Sequence, residues 1–126
     1  HMKTTMFLAS AMLAAIASAS ARPYPDIQVD DFEEKTFDNL IDHMNYQDTR
    51  TYKQRYWIND KYWNKETGPV FIYICGEYRC SVREDRLFPF MVGGSQDALL
   101  LVLEHRFYGS SQPFDDWSLD SLEYLN

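Results

Sequence analysis

Three adjacent ionisable residues, Glu104, His105 and Arg106, stand directly after the aliphatic run "LLLVL" and directly before the aromatic, glycine and proline turn "FYGSSQPF". A carboxylate, an imidazole and a guanidinium side by side can exchange protons, hold charge or build a polar network, and Tyr108 adds a phenolic hydroxyl. In such a network Arg106 is expected to hold a carboxylate in a two-pronged pair. A satisfied structural ion pair is favoured over direct substrate contact, because a buried charge persists where it is paired. A second polar cluster, Cys75-Gly76-Glu77-Tyr78-Arg79-Cys80, follows the apolar run "VFIYI". Cys75 and Cys80 read either as a local disulfide or as buried thiols. They are too few for a zinc site, which takes four ligands, and no histidine lies near them in sequence.

What could position these clusters is a pair of buried strands. Val70–Cys75 and Leu99–Glu104 are continuous apolar runs that fit strands covered on both faces. The segment between them, 84–98, is long enough for a crossover with helical turns, although Pro89 and the Gly93-Gly94 pair argue against one unbroken helix. Two such strands and a crossover make a βαβ unit. Upstream, residues 36–46 and 51–59 are rich in aromatic and β-branched residues around the turn "NYQDTR", and read as an antiparallel pair. Downstream, Ser118 is an N-cap candidate, with Leu119, Leu122 and Leu125 at helical spacing. The predicted class is α/β, with a mixed sheet in which an antiparallel pair is followed by parallel strands. In open sheets of this class functional groups gather beyond the carboxyl ends of the strands, which places both polar clusters on one rim. Such a sheet needs helices on both sides, and about one short helix is available. The expectation is therefore the N-terminal, incomplete part of a longer α/β protein.

Residues 1–21 have the layout of a secretory signal peptide: Lys3, an apolar stretch from Met6 to Ala17, and the small triplet Ala19-Ser20-Ala21. The apolar stretch is shorter than the roughly 20 residues of a membrane-spanning helix, so no membrane span is expected. Residues 22–35 carry prolines and acids with little period and read as an N-terminal arm on the surface; residues 36–126 read as the domain proper. A secretory address suits a disulfide. The formal charge of −7 argues against a nucleic-acid partner. No cofactor is implied, and oligomeric state is not legible.

Five ordered blocks, "FDNLIDH", "YKQRYWINDKYW", "GPVFIYICGE", "LEHRFYGSSQPF" and "SLDSLEYLN", resemble the N-terminal motifs of the S28 serine peptidase family. The resemblance covers residues 36–126, and its most specific block is Glu104-His105-Arg106 followed by an aromatic, Tyr108 and Gly109. It implies an α/β-hydrolase fold and a serine, aspartate and histidine triad cleaving peptides next to proline, as a carboxypeptidase or dipeptidyl peptidase. The peptide substrate would carry proline near a terminus, and the location would be extracellular or lysosomal. The triad order in that fold is serine, acid, histidine, with the serine on a GxSxG elbow. No GxSxG occurs here: "GGSQD" around Ser95 lacks the closing glycine, and His43 and His105 come too early to be the base. No catalytic triad residue is therefore expected within these residues. The oxyanion hole of the fold also uses a backbone N–H from the loop after its third strand. In this chain that loop is Gly76, Glu77 and Tyr78, where glycine lets the main chain approach an oxyanion. Glu77 would alternatively bind a peptide's amino terminus, and Tyr108 would wall the pocket or donate a hydrogen bond. The family usually carries Gly-Gly-Glu or Asn-Glu-Gly where this chain has Cys75-Gly76-Glu77. The competing reading is a non-catalytic, hydrolase-derived structural or interaction module, since folds host many functions.

Overall fold

A computed structural model describes residues 23–83 and 86–125. The expected signal peptide, residues 1–21, lies outside the described residues. After a single 3-10 turn at Val29–Asp31 come strands β1 (Glu33–Leu40), β2 (Thr51–Asn59) and β3 (Val70–Ile74), helix α1 (Phe88–Ser95), strand β4 (Leu99–Leu103) and the short helix α2 (Leu119–Leu122). The four strands form one mixed sheet in the order β1-β2-β4-β3. β1 runs antiparallel to β2, β2 antiparallel to β4, and β3 parallel to β4. This arrangement is compatible with part of an α/β fold, and β3, α1 and β4 make its crossover unit.

Alternation along the strands separates two faces. On one, Trp57 of β2 and Leu100 and Val102 of β4 pack with Cys75, with Phe90 of α1, and with Ile27 and Phe32 from the N-terminal segment. The Phe32 and Phe90 rings meet edge to face at 5.1 Å, a favourable aromatic geometry. The expected surface arm is thus part of the core in its described residues, because Ile27 and Phe32 are buried. The glycine pair sits inside α1, where its lack of side chains permits close packing. A Cβ on Gly93 would lie 2.8 Å from a Leu100 methyl and 3.1 Å from the Phe71 ring, and one on Gly94 would lie 2.7 Å from Pro25.

The opposite face carries Phe37, Tyr56, Ile72, Leu101 and Leu103, which line an open apolar hollow of about 290 Å³. β3 therefore differs from its sequence expectation of burial on both faces. It is an edge strand with Ile72 54% and Ile74 63% exposed, because among the described residues no element covers this side. β1 also starts and ends earlier than expected. Beyond Leu40 the Asp42 carboxylate accepts hydrogen bonds from the Met44 and Asn45 N–H groups, at 2.8 and 3.2 Å, and turns the chain away from β2. At α2 the Ser118 side chain accepts from the Ser121 N–H at 3.2 Å, as an N-cap does. Among the described residues no helix is long and apolar enough to cross a membrane.

Candidate active-site rim

Glu104 is the first residue beyond β4, and the β2–β4 register sets Arg55 beside it: Tyr56 pairs with Leu103, and the Glu104 N–H donates to the Arg55 carbonyl at 3.1 Å. The Glu104 side chain has 0% exposure. Its Oε1 accepts from Arg55 Nη2 at 2.6 Å and from the Cys80 N–H at 3.0 Å. Its Oε2 accepts from Arg55 Nε at 3.1 Å, Ser111 Oγ at 2.8 Å and the Ser110 N–H at 3.1 Å. Arg55 donates further to the Cys80 carbonyl at 3.2 Å and lies over the Trp57 ring at 4.6 Å. One carboxylate thereby ties β2, the loop after β3 and the turn after β4. Burial alone would raise its pKa, but the hydrogen bonds from Arg55, Ser111 and Cys80 outweigh that and hold it below the ordinary 4.5.

A depressed folded pKa means that the carboxylate's stabilising contribution is complete above pH 4.5 and is lost as pH falls through the folded value. Glu104→Gln is expected to remove this component. Denaturant midpoints of the unmodified protein should fall as pH drops below 4.5, with a steeper fall than in the variant. Equal slopes would show that the folded state does not depress the Glu104 pKa.

The other two members of the triplet turn elsewhere. Arg106 does not form the two-pronged pair expected of it; Arg55 does. Arg106 instead donates from Nη2 to the Ile41 carbonyl at 2.5 Å and stacks on Tyr52 at 5.5 Å, and its buried Nε has no hydrogen-bond partner among the described residues. His105 is half-buried, and its Nδ1 lies 2.8 Å from the Arg106 carbonyl. A carbonyl only accepts, so Nδ1 is the donor. The His105 ring meets Tyr108 edge-on at 5.4 Å, and Tyr108 meets Trp117 at 6.4 Å. The turn itself uses positive φ at Phe107 (68°) and Gly109 (55°). Any Cβ at Gly109 would collide with Glu104 Oε1, so the glycine answers both to the backbone angle and to the carboxylate beneath it.

After β3, Cys75 and Cys80 are joined as a disulfide. The Cys75 N–H donates to the Leu103 carbonyl at 2.9 Å. Between the cysteines, Gly76 and Glu77 are exposed and Tyr78 is half-buried. Among the described residues neither the Gly76 nor the Glu77 N–H has a hydrogen-bond partner. The Tyr78 hydroxyl lies 3.3 Å from that of Tyr73, and Arg86 Nη1 donates to both. The Tyr73 hydrogen bond, with Arg86, holds the Tyr78 phenol below its usual pKa. A polar cleft of about 440 Å³ opens beside the loop, with Glu34, Arg55, Trp57 and Arg79 among its walls.

The structure therefore brings Glu104, Cys80 and the 107–111 turn into direct contact. It leaves Glu77 on the surface and gives neither Glu77 nor His105 a hydrogen bond to Glu104. His43 is exposed, and Ser95 ends α1 with Oγ donating to the Val92 carbonyl at 2.7 Å, without the strand-to-helix elbow of a nucleophile. Among the described residues no group of His, Cys, Asp and Glu could hold a metal ion. The site residues that sequence reasoning missed are Ser111 and, with more contacts, Arg55. Its signal was a cation on the apolar face of a strand, where a partner is required.

Comparison with known proteins gives the family. Residues 39–126 match the family described as serine carboxypeptidase S28. The chain is 36% identical over 90 residues to thymus-specific serine protease of Homo sapiens, covering 71% of this chain and 18% of that protein. It is 34% identical over 112 residues to lysosomal Pro-X carboxypeptidase of Mus musculus, covering 85% and 22%. A serine protease of Bipolaris victoriae (strain FI3) is 36% identical over 93 residues, covering 71% and 17%. The chain thus spans 17% to 22% of the length of these curated relatives. With the family match running from Asn39 in β1 through both rim loops to the last residue, the chain belongs to the serine carboxypeptidase S28 family.

Proposed function

We propose that the chain is the N-terminal part of a serine-type exopeptidase that hydrolyses peptide bonds next to proline, and that it works in the secretory pathway, outside the cell or in a lysosomal compartment. The observation that carries this reading is the family match across residues 39–126. The names of the relatives, a Pro-X carboxypeptidase among them, support the proline preference and the lysosomal address. In this reading the nucleophile, acid and base follow residue 126 in the sequence, and the present residues supply the rim. Within the Gly76 to Tyr78 loop, Gly76 and Glu77 lend main-chain N–H groups to the oxyanion, where such donors do most for acyl transfer, while the Tyr78 N–H is held by the Gly76 carbonyl at 2.8 Å. Residues 22–126 by themselves, without a nucleophile, have no peptidase activity.

The test reads the transcript past Asn126 and assays the product. The expected continuation holds a GxSxG-like elbow followed by an aspartate and a histidine. The full-length protein should be labelled by a fluorophosphonate and should release residues from peptides with a proline near one end. A stop codon directly after Asn126, or a serine replaced at the elbow, would overturn the peptidase and leave a hydrolase-derived interaction module.

A further inference from the structure

We propose that Glu104 is a positioning residue for the oxyanion hole: it fixes the main chain of Gly76 to Tyr78 through the Cys80 N–H and couples that loop to the 107–111 turn. This inference rests on the peptidase reading above. Glu104 is wholly buried, so it touches no substrate and acts only through what it holds.

The two carboxylate oxygens have separate tasks. Oε1 takes the loop, by the Cys80 N–H at 3.0 Å; Oε2 takes the turn, by the Ser110 N–H at 3.1 Å and Ser111 Oγ at 2.8 Å. Arg55 spans both oxygens and reaches the Cys80 carbonyl at 3.2 Å. Cys80 is thus held at its N–H, at its carbonyl and, through the disulfide, at its side chain. The other end of the loop, Cys75, hangs on the Leu103 carbonyl at 2.9 Å. Both ends of the segment that carries the Gly76 and Glu77 N–H groups are therefore set by two consecutive residues, Leu103 and Glu104. Oxyanion donors work only at hydrogen-bond distance from the developing charge, and losing one costs about 100- to 1,000-fold in kcat. Misplacement by ~1 Å has a comparable effect. Loosening Cys80 acts on that geometry without removing any substrate contact.

The experiment uses the full-length protein, with active sites counted by end-point fluorophosphonate labelling and kcat expressed per labelled site on a proline-containing peptide. Glu104→Gln keeps the shape but presents an amide N–H₂ to one of the two donor sets. The expected result is a fall in kcat of about 10- to 100-fold with KM within about twofold. Should this variant not accumulate folded, Ser111→Ala removes one Oε2 donor and leaves the Arg55 pair in place, with an expected loss of about three- to tenfold in kcat. Opening the loop by Cys75→Ser with Cys80→Ser should be non-additive with either change in kcat, since Glu104→Gln loosens Cys80 directly and Ser111→Ala does so by freeing the Glu104 carboxylate that holds it. Fewer labelled sites with unchanged kcat per site, or strict additivity, would overturn the positioning role and leave Glu104 purely structural. Absence of labelling and of cleavage in the unmodified protein would instead sink the peptidase reading, and this inference with it.

Discussion

Arg55→Met in the full-length protein is expected to lower the free energy of unfolding by about 3–5 kcal/mol, the range for breaking a buried pair by removing one partner. The cause is the carboxylate left behind. Glu104 is fully buried and receives two of its five side-chain hydrogen bonds from Arg55. Without the guanidinium its charge is uncompensated, and the Cys80 carbonyl loses a donor as well. Replacing both partners, Arg55→Met with Glu104→Leu, should recover part of the loss, because the charge is gone. Recovery stays incomplete, since the Cys80 and Ser110 N–H groups lose their acceptor at about 1–3 kcal/mol each. The exposed pair Lys53–Asp38, at 2.8 Å, is the control: Lys53→Ala should change stability by less than ~1 kcal/mol. Urea midpoints with an unchanged m-value would measure all three. A double variant no better than Arg55→Met would mean that hydrogen-bond geometry, and not charge, sets the cost.

The same residues show where sequence reading succeeds and where it stops. β3, α1 and β4 were legible because two apolar runs separated by a crossover-length segment admit few topologies, and the parallel pairing of Val70–Ile74 with Leu99–Leu103 follows that rule. Position relative to the strand ends was legible too, since Glu104 and the Cys75–Cys80 loop both fall just past a run of aliphatics. Partner choice was not. Adjacent residues beyond a strand point in different directions, so Glu104, His105 and Arg106 reach Arg55, a local carbonyl and Ile41 in turn. The partner that matters lies 49 residues away in sequence, across an antiparallel register that no local pattern encodes. The glycines carry a similar lesson. Gly93 and Gly94 looked like helix breakers, yet their cost within α1 is offset by contact with Leu100 and with Pro25 that any side chain would block.

Residues 22–126 expressed alone are expected to self-associate instead of yielding a cooperatively unfolding monomer. The face bearing Phe37, Tyr56, Ile72, Leu101 and Leu103 is continuous and apolar, and such patches drive association. β3 adds an unpaired strand edge with Val70, Ile72 and Ile74 exposed, which templates pairing between copies. Sedimentation of the refolded segment should show oligomers at micromolar concentration, and Ile72→Lys, a charge in the middle of that edge, should shift it toward monomer. In the full-length protein the sign is expected to reverse. If later sequence completes the sheet and covers this face, as the proposed function requires, the same lysine is buried without a partner and should cost several kcal/mol by the penalty for desolvating a charge. The paired measurement separates two states of one surface. A lysine that helps the segment and harms the full-length protein marks a face built to be covered. One that is tolerated in both would mean that the sheet edge stays open to solvent, and the hydrolase completion would have to be abandoned.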